Sequence, residues 1–530
     1  MGATAEQVSL VTFYLDHVNI DLEPYVQLYD YSTPAIYESL LDIYMAKVQD
    51  FFPILPKRLF RDQCRRYFEA WRQGTYPRLN PKWEAILNLV FAIASKHSDL
   101  CGDNYPSHTM YYARARALAW DTATLMQPPD LPQIQVAGLL AFYYLSVGHV
   151  SRAWVVVGMA LRFSQSLGLH VRNEDPSTTL PRREVLVRIW WSIYYLDRHL
   201  SVITGRPSVI VDGSCSVPLP IPFAEGDMSE EMGTPDSSGG SRIDANEGSF
   251  IRAIAQMGII TQSILSGLYS AGTMVRSSFA VQQDIIELKR RLENWVQSLP
   301  AEFDFRIQRP SLHPYFRERI LLGFEYYSSI ILLTRPCLGG LGSPAGQETR
   351  DESFLGQMAT LCVEAAKAEL DMLQDKPKPY FVFENGPWWS ITHYLMQSLA
   401  AILLALSYSS LGAQFDASLS VYAKEIIRWL RSMENDPLAQ RAYRVAFTSF
   451  EMVANRRSLN ITDLWNEHTI AFPGVSLNVE EYSGVGTRSF PTVPAGSGVL
   501  DDFDTFPDPM VMTPSELFRV ERSAHDSFGS

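Results

Sequence analysis

Apolar residues recur at helical spacing along most of this chain. Residues 34–52 carry apolar side chains three or four positions apart, at Ile36, Leu40, Ile43, Tyr44 and Val48. This period predicts an amphipathic α-helix that Pro34 opens and Pro53 ends. The same spacing predicts further helices at 60–72, 81–97, 107–126, 132–147, 150–168, 183–204, 249–276, 280–298, 313–334, 353–374, 387–409, 417–433 and 437–456. Strand-like alternation is scarce, so the pattern predicts an all-α fold built as a large multi-helix domain.

Two segments interrupt the helical pattern and divide the chain. Residues 221–248 contain seven acids, one arginine and many Gly, Ser and Pro residues, which predicts a linker or a long surface loop. Residues 458–530 become rich in Pro, Gly and Ser and are predicted to form a disordered C-terminal tail. The predicted organisation is therefore a lead segment over 1–33, helical halves over 34–220 and 249–457, the linker between them, and the tail.

The tail contains a short acidic and aromatic segment, residues 500–512. Its aromatic residues alternate with acids, as Asp501, Asp502, Phe503, Asp504, Phe506 and Asp508. Acids keep such aromatic rings in solvent, where a partner's apolar groove can bind them, and this composition is typical of an activation segment. An ordinary acidic tail is the alternative, and the sequence alone leaves both open.

Residues 132–170 predict an antiparallel pair of helices. Gly148 is expected to cap the end of the first helix, and Ser151 the start of the second. Gly158 lies within the second helix, where glycine costs about 1 kcal/mol relative to alanine. We therefore expect a neighbouring backbone to approach the helix closely at Gly158.

The next predicted helix, 183–204, combines aromatic residues with charges. Trp190 and Trp191 give it a large apolar surface. Asp197 and Arg198 lie in the same apolar stretch and must be paired if they are buried, because an unpaired buried charge is very unfavourable. The candidate partners of Asp197 are Arg188, Arg198 and Arg206. Such a network is more typical of helix packing than of catalysis, and Gly205-Arg206-Pro207 is predicted to end the helix.

Short motifs follow one another in a fixed order through this region. They are Gly158-Met159-Ala160-Leu161-Arg162, Leu167-Gly168-Leu169-His170, Arg188 with Trp190-Trp191, Leu196-Asp197-Arg198, Gly205-Arg206-Pro207 and Val217-Pro218-Leu219-Pro220. This series resembles the fungal-specific transcription factor domain, the middle homology region of Gal4-like zinc-cluster regulators. Weaker similarity extends over most of 35–455. The resemblance implies that 34–220 and 249–457 are the two halves of that regulatory domain.

The chain departs from that family in its cysteines and offers no broad basic surface. Zinc-cluster regulators usually carry six cysteines with two CxxC pairs, whereas the five cysteines here include no CxxC, so no zinc ligands are expected. The net charge is −13, which does not favour contact with DNA phosphates. The richest basic groups, at 57–66 and 289–291, follow helical patterns and are interpreted as solvated helix faces. Direct DNA binding is therefore not predicted.

No catalytic, cofactor-binding or metal-binding residue stands out. The ten histidines all lie more than ten residues apart, and the sequence contains no HExxH, GxSxG, P-loop or kinase motif. An enzyme is therefore not expected. The apolar runs 136–147 and 399–406 are too short to span a bilayer and predict buried helices. The N-terminus does not have the pattern of a secretory signal, so no membrane association is predicted.

Two functions remain open from the sequence. The first is a nuclear transcriptional regulator that controls metabolic or secondary-metabolite biosynthesis genes through a DNA-binding partner protein or the transcription machinery. The resemblance also implies a small-molecule inducer or repressor. The alternative is a helical ligand-binding or scaffold protein without a role in transcription, since a large all-α core rich in aromatic residues can enclose an apolar cavity. The ordered motifs favour the first.

Overall fold

The structure, a computed structural model, describes residues 13–20, 33–75, 79–120, 127–228, 244–307, 313–342, 350–408 and 413–471. These residues form sixteen α-helices and no strand, so the predicted all-α fold is confirmed. The helices are α1 (Pro34–Lys47), α2 (Lys57–Arg72), α3 (Pro81–Cys101), α4 (His108–Ala119), α5 (Leu131–Ser146), α6 (Val150–Ser166), α7 (Leu180–Thr204), α8 (Glu247–Leu268), α9 (Ser278–Ser298), α10 (Phe316–Thr334), α11 (Arg350–Leu370), α12 (Pro379–Asn385), α13 (Ile391–Tyr408), α14 (Ala413–Ser432), α15 (Pro437–Arg457) and α16 (Thr462–Ala471).

Consecutive helices pack against one another through most of the fold. In the first half, α3 packs on α1, α4 and α5, and α5 and α6 form the predicted pair, which continues onto α7. Helix α7 then packs on α8, which lies beyond the loop at 221–248. In the second half, α10 and α11 pack on α13, which also contacts α14 and α15. The α7–α8 contact therefore joins the two predicted halves.

Aromatic rings from both halves meet in one core. Phe51, in the turn after α1, lies 4.5 Å from Trp389 and 5.1 Å from Tyr195 on α7, measured between ring centroids. Phe142 on α5 lies 5.4 Å from the same Trp389. Buried apolar residues of all these elements form a single contiguous cluster. The two predicted halves thus share one hydrophobic core.

The predicted end of α5 is confirmed, whereas the predicted N-cap of α6 is wrong. Gly148, with a φ of 81°, adopts the left-handed conformation expected of a residue that follows a helix. Helix α6 begins at Val150 with His149 at its N-cap, so the expectation for Ser151 is wrong. The Ser151 amide instead donates to the Asp16 carboxylate at 2.9 Å. A residue distant in sequence thus supplies the cap.

The close packing expected at Gly158 is also wrong. No neighbouring atom lies within 4 Å of the position that a Cβ would take there. The close approach occurs instead at Gly138 on α5, where a Cβ would lie 2.1 Å from the Ile54 side chain. Glycine at 138 therefore lets the turn after α1 pack directly against α5.

The predicted boundary of the C-terminal tail requires correction. Residues 462–471, placed in the tail from the sequence, form helix α16, in which Leu464 and His468 are buried. The Asp463 carboxylate pairs with Lys424 on α14 at 2.6 Å, and Tyr443 on α15 bonds to His468 at 2.9 Å. The composition of the following segment hid this short amphipathic helix. Residues 472–530, with the segment 500–512, lie outside the described residues.

The acidic stretch 221–248 is described at both of its ends. Near its start, the Glu225 carboxylate accepts the backbone amides of Lys57 and Arg58, each at 3.0 Å, and so caps the beginning of α2. At its end, α8 begins at Glu247, two residues before the predicted start, with the Asn246 side chain accepting the amide of Ser249 at 3.0 Å. Both ends are therefore tied to the helical core.

Among the described residues, α13 is the one helix whose length and composition would allow it to cross a membrane. However, 67% of it is buried inside the protein. It packs against four other helices, α10, α11, α14 and α15. Such burial is typical of a core helix, as expected for the run 399–406.

Candidate functional site

Helix α7 carries five of the residues selected from the sequence, and the protein interior encloses these five, whereas Gly205, Arg206 and Pro207 follow the helix and are exposed. The side chains of Arg188, Trp190, Trp191, Asp197 and Arg198 are at most 7% exposed. Helix α7 ends at Thr204, and Gly205 follows it with a left-handed φ of 66°, just before Arg206 and Pro207, so the predicted end is confirmed. Three of the buried side chains are ionisable and therefore require partners.

The chain beyond α7 includes an extended run, residues 217–223, which we call the exit segment. Three of its carbonyl oxygens accept hydrogen bonds from side chains: Pro218 from Trp191 at 2.8 Å, Pro220 from Arg252 at 2.9 Å, and Phe223 from Arg188 at 2.7 Å. Prolines at 218, 220 and 222 lack amide hydrogens, so this run cannot form a regular ladder. Side chains of α7 and α8 fix it instead.

Arg188 belongs to this contact and not to Asp197. Its Nε donates to Glu184 at 2.9 Å, and its Nη1 lies 3.6 Å from Glu247 on α8. The Glu184 carboxylate also accepts the amide of Ile221 in the exit segment at 3.1 Å. Arg188, a predicted candidate partner of Asp197, is therefore not its partner, because its guanidinium joins α7 to the exit segment and to α8.

Asp197 lies in a second polar group, which we call the Asp197 cluster: Asp197, Arg198, Ser208, Asp212 and Tyr194. The Ser208 hydroxyl donates to the Asp197 carboxylate at 2.5 Å and accepts a hydrogen bond from Arg198. Arg198 lies 3.5 Å from Asp197 and 2.8 Å from Asp212, and its guanidinium stacks on the Tyr194 ring at 4.5 Å. Of the three candidate partners, Arg198 is the one that contacts Asp197.

Arg206 takes a different partner. Its guanidinium lies over the ring of Trp154 on α6, 5.1 Å from the ring centroid. This is a cation–π contact, which is worth about 0.5–2 kcal/mol depending on its exposure. Arg206, the third candidate partner of Asp197, therefore joins the end of α7 to α6.

Burial sets the electrostatics of the Asp197 cluster. Burial raises the pKa of Asp197 to about 6, although the Ser208 hydrogen bond and the positive charge of Arg198 act in the opposite direction. The nearby Asp212 carboxylate raises it further. The Asp197 carboxyl therefore changes protonation more readily near neutral pH than an exposed aspartate does.

A third polar group, the Glu325 cluster, lies where α7, α10 and α13 meet. It consists of Glu325, Tyr195, Tyr394, His199 and Ser390. The Glu325 carboxylate accepts hydrogen bonds from the hydroxyls of Tyr394, at 2.5 Å, and Tyr195. His199 bonds to Ser390 at 2.7 Å. Burial raises the pKa of Glu325 and lowers that of His199 to about 4, which favours the uncharged form of both groups.

The cavity beside the Glu325 cluster is small. It measures about 20 Å³ and is lined by residues that include Tyr195, His199, Glu325 and His393. This volume holds about one water molecule and no organic ligand. The Glu325 cluster is therefore a packing element of the core, and in its present form it does not hold a small molecule.

A larger groove is lined by residues of α10, by residues at the end of α11 and just after it, and by residues 305–307. Its volume is about 560 Å³, which falls in the range typical of small-molecule sites. Its lining combines apolar and aromatic side chains with three charged ones: Phe305, Ile307, Phe316, Ile320, Tyr327, Ala368 and Met372, with Arg306, Arg319 and Asp371. This composition suits a ligand that is largely apolar and carries a few polar groups.

The two basic groups interpreted as helix faces are extensively paired with acids. On α2, Arg61 lies 2.9 Å from Asp42 and Lys57 lies 2.5 Å from Asp50. On α9, Arg290 lies 2.7 Å from Glu287. Carboxylates this close reduce the positive potential that DNA phosphates would meet, which supports the interpretation of solvated helix faces.

Sequence patterns missed several residues that complete these groups. Ser208 and Glu184 each form a hydrogen bond with a selected residue of α7, and Glu325 accepts one from Tyr195 on the same helix, yet none of the three belongs to a predicted motif. For Glu184 a signal was available, because it lies four residues before Arg188, the spacing of a helical ion pair. Glu325 comes from a helix 130 positions away from Tyr195, and no local pattern shows that contact.

Comparison with known proteins confirms the resemblance predicted from the motifs. Residues 41–297 match the family model described as the fungal specific transcription factor domain. The transcription regulator galc of Aspergillus niger is 28% identical over 527 residues, covering 86% of this chain and 63% of its own length. The sorbicillinoid biosynthetic cluster transcription factor 2 of Penicillium rubens is 25% identical over 446 residues, covering 80% of this chain and 61% of its own length.

A third relative is the ABC-transporter-regulating transcription factor of Aspergillus oryzae. It is 25% identical over 410 residues, covering 70% of this chain and 43% of its own length. The chain thus spans between 43% and 63% of the length of these three relatives. The similarity to the Aspergillus niger protein covers 86% of this chain and therefore extends beyond the matched domain into the second helical half.

Proposed function

From the fungal specific transcription factor domain over residues 41–297, we propose that this chain is a nuclear transcriptional regulator that controls metabolic or secondary-metabolite biosynthesis genes. The domain match is the observation that carries the proposal. Relatives named as regulators of a sorbicillinoid biosynthetic cluster and of an ABC transporter support this class of target. The same comparisons support a role without enzymatic activity.

In this proposal the described residues act on promoters through a DNA-binding partner protein or the transcription machinery. The net charge of −13 and the pairing of basic side chains on α2 and α9 with acids both disfavour direct contact with phosphates. The helical domain then serves as the regulatory part of the molecule. The segment 500–512 supplies contacts to the transcription machinery.

We also propose that a small-molecule effector binds in the groove between α10 and α11. The supporting observation is its volume of about 560 Å³, compared with about 20 Å³ for the cavity at the Glu325 cluster. The rings of Phe305, Phe316 and Tyr327 supply apolar contact area, and Arg306 and Asp371 offer charged groups for orientation. A partly aromatic metabolite with a few polar groups fits this lining.

Transcript profiling of a deletion strain tests the regulatory role. Deletion is expected to change the transcripts of a limited set of metabolic genes, and reintroducing the wild-type chain restores them. A matched strain expresses the chain with a bulky residue in the groove, Ala368→Trp, to separate effector binding from the rest of the function. A purely cytoplasmic chain whose deletion alters no transcript would instead favour the helical ligand-binding or scaffold protein.

A further inference from the structure

Three potential metal ligands meet where α1, α3 and α12 come together. His97 and Cys101 lie on the last turns of α3, and Glu384 lies on α12. The nitrogen, sulfur and oxygen atoms that each can offer lie within 4.8 Å of one another. His97 is 3% exposed, whereas Cys101 and Glu384 are partly exposed. The group is therefore held by the core and accessible from solvent.

The helix places the first two ligands on one face. His97 and Cys101 are four residues apart, which is the spacing that puts two side chains on adjacent turns of a helix. The Cys101 Sγ lies 3.9 Å from Nε2 and 4.0 Å from Nδ1 of His97. Tetrahedral Zn²⁺ holds such donor atoms about 3.3–3.8 Å apart, so a contraction of about 1 Å completes the geometry.

A metal-binding histidine usually donates a hydrogen bond from the ring nitrogen that does not bind the metal, and His97 has a partner for such a bond. Its Nε2 lies 3.0 Å from the carbonyl oxygen of Phe383, which can accept a hydrogen bond from that nitrogen. In that tautomer the Nδ1 lone pair is available to a metal ion, and the ring orientation is fixed. Burial lowers the pKa of His97 to about 4, so the ring is neutral near pH 7, as a ligand must be.

We propose that His97, Cys101 and Glu384 form a binding site for a borderline-soft divalent cation, with Zn²⁺ as the ion that fits best. One imidazole, one thiolate and one carboxylate are the donor types that zinc accepts, whereas calcium and magnesium prefer oxygen donors alone. The fourth position of a tetrahedral site is open to water. On binding, the Cys101 thiol loses its proton to solvent.

Lys47 competes with a metal ion for the Glu384 carboxylate. Its ammonium lies 2.6 Å from the Glu384 carboxylate and also donates to the Glu384 carbonyl oxygen at 3.2 Å. A bound cation replaces Lys47 as the partner of Glu384, because the two positive charges repel each other. Removing the Lys47 charge is therefore expected to tighten metal binding.

Titration of the full chain with Co²⁺, after removal of metals with a chelator, tests the site. We expect one equivalent to bind with the charge-transfer absorption of a cobalt–thiolate bond, and Zn²⁺ to displace it. Cys101→Ser abolishes the absorption, Glu384→Gln weakens binding at least tenfold, and Lys47→Met strengthens it. Cys215→Ser is the matched control, a half-buried cysteine elsewhere, and it leaves the titration unchanged.

Zn²⁺ should also raise the melting temperature of the wild-type chain and not that of Cys101→Ser, since a ligand that binds the folded state stabilises it. This readout checks that each variant is folded. Absence of the thiolate absorption in the wild-type chain, or its persistence in Cys101→Ser, would overturn the proposal. Because the titration measures binding alone, its outcome is independent of the proposed role in transcription.

Discussion

The guanidinium of Arg188 on α7 donates a hydrogen bond of 2.7 Å to the main-chain oxygen of Phe223 in the exit segment. In the sequence, the motif of Arg188 with Trp190-Trp191 and the proline-rich run are separate features. In the structure they form one contact, which Glu184 extends by accepting the amide of Ile221. This part of α7 thus positions the chain where it crosses from the first helical half to the second.

Gly248 tests how closely the exit segment must approach α8. A Cβ at this position would lie 2.1 Å from the carbonyl oxygen of Phe223 and 2.4 Å from its amide nitrogen. We expect Gly248→Ala to displace the exit segment, lower the melting temperature by several degrees and speed proteolysis at residues 221–228. Gly158→Ala is the control, since no atom lies within 4 Å there, and it should stabilise the chain by about 0.5–1 kcal/mol. Equal stability of both variants would contradict the packing described here.

Asp197 predicts a specific pH dependence. Its pKa is raised from 3.8 to about 6 in the folded chain, so the folded state binds this proton more tightly than the unfolded state. The contribution of protonated Asp197 to the free energy of unfolding is therefore fully present below about pH 4 and is lost as the pH rises through about 6. Between about pH 4.5 and pH 7, the free energy of unfolding of wild type relative to Asp197→Asn should fall by about 2 kcal/mol.

Urea titrations of both proteins at several pH values measure this difference. Asp42→Asn removes an exposed carboxylate on α1 and serves as the control, for which the same comparison should change much less. A difference between wild type and Asp197→Asn that stays constant with pH would show that Asp197 is not buried as described.

The Glu325 cluster predicts a contrast between two substitutions. Glu325→Ala leaves the hydroxyls of Tyr195 and Tyr394 buried without their acceptor, which costs about 1–3 kcal/mol for each group. Glu325→Gln keeps an acceptor oxygen and a similar volume, so it should cost less. Thermal unfolding should therefore rank the melting temperatures as wild type, Glu325→Gln, then Glu325→Ala. A Glu325→Ala chain as stable as wild type would contradict this role.

The groove between α10 and α11 predicts that effector response and folding can be separated. Ala368 lines the groove and is partly exposed, so Ala368→Trp fills space without cutting into the core. We expect transcripts controlled by this chain to lose their response to the inducing condition, while the melting temperature changes by only a few degrees. An unchanged response in this variant would remove the groove as the effector site.

The segment 500–512 predicts an effect of two aromatic residues on activation. Residues 472–530 fused to an unrelated DNA-binding domain should activate a reporter gene, and Phe503→Ala with Phe506→Ala should lower that activation severalfold. Phe490→Ala, an aromatic residue outside the acidic segment, is the control and should have little effect. Unchanged activation in the double variant would favour the ordinary acidic tail.

Local patterns predicted the helices well because each signal is contained in a few neighbouring residues. Gly148 and Gly205 end helices in the left-handed conformation, as their positions after apolar runs predicted. Where a distant residue supplies the contact, the prediction was wrong: Ser151 does not cap α6, because Asp16 accepts its amide. The same limit applies to α16, whose burial depends on α14 and α15.

The candidate sites show the same limit. The apolar neighbours of Asp197 and Arg198 indicated that both charges need partners if they are buried. The choice among three arginine partners depended on contacts that no local pattern shows, because the exit segment holds Arg188 and Trp154 holds Arg206. The proposed metal ligands illustrate a different gap. One histidine and one cysteine a helical turn apart form neither a histidine cluster nor a cysteine pair, and Glu384 joins them only through the packing of α12 on α3.

Promoter occupancy by the tagged full-length protein in its native host is the most direct test of the proposed role in transcription. Chromatin immunoprecipitation should show enrichment at promoters of metabolic genes whose transcripts change when the gene for this chain is deleted. Enrichment that disappears when a DNA-binding partner is removed would identify how the chain reaches those promoters. No enrichment at any promoter, together with unchanged transcripts on deletion, would contradict the account.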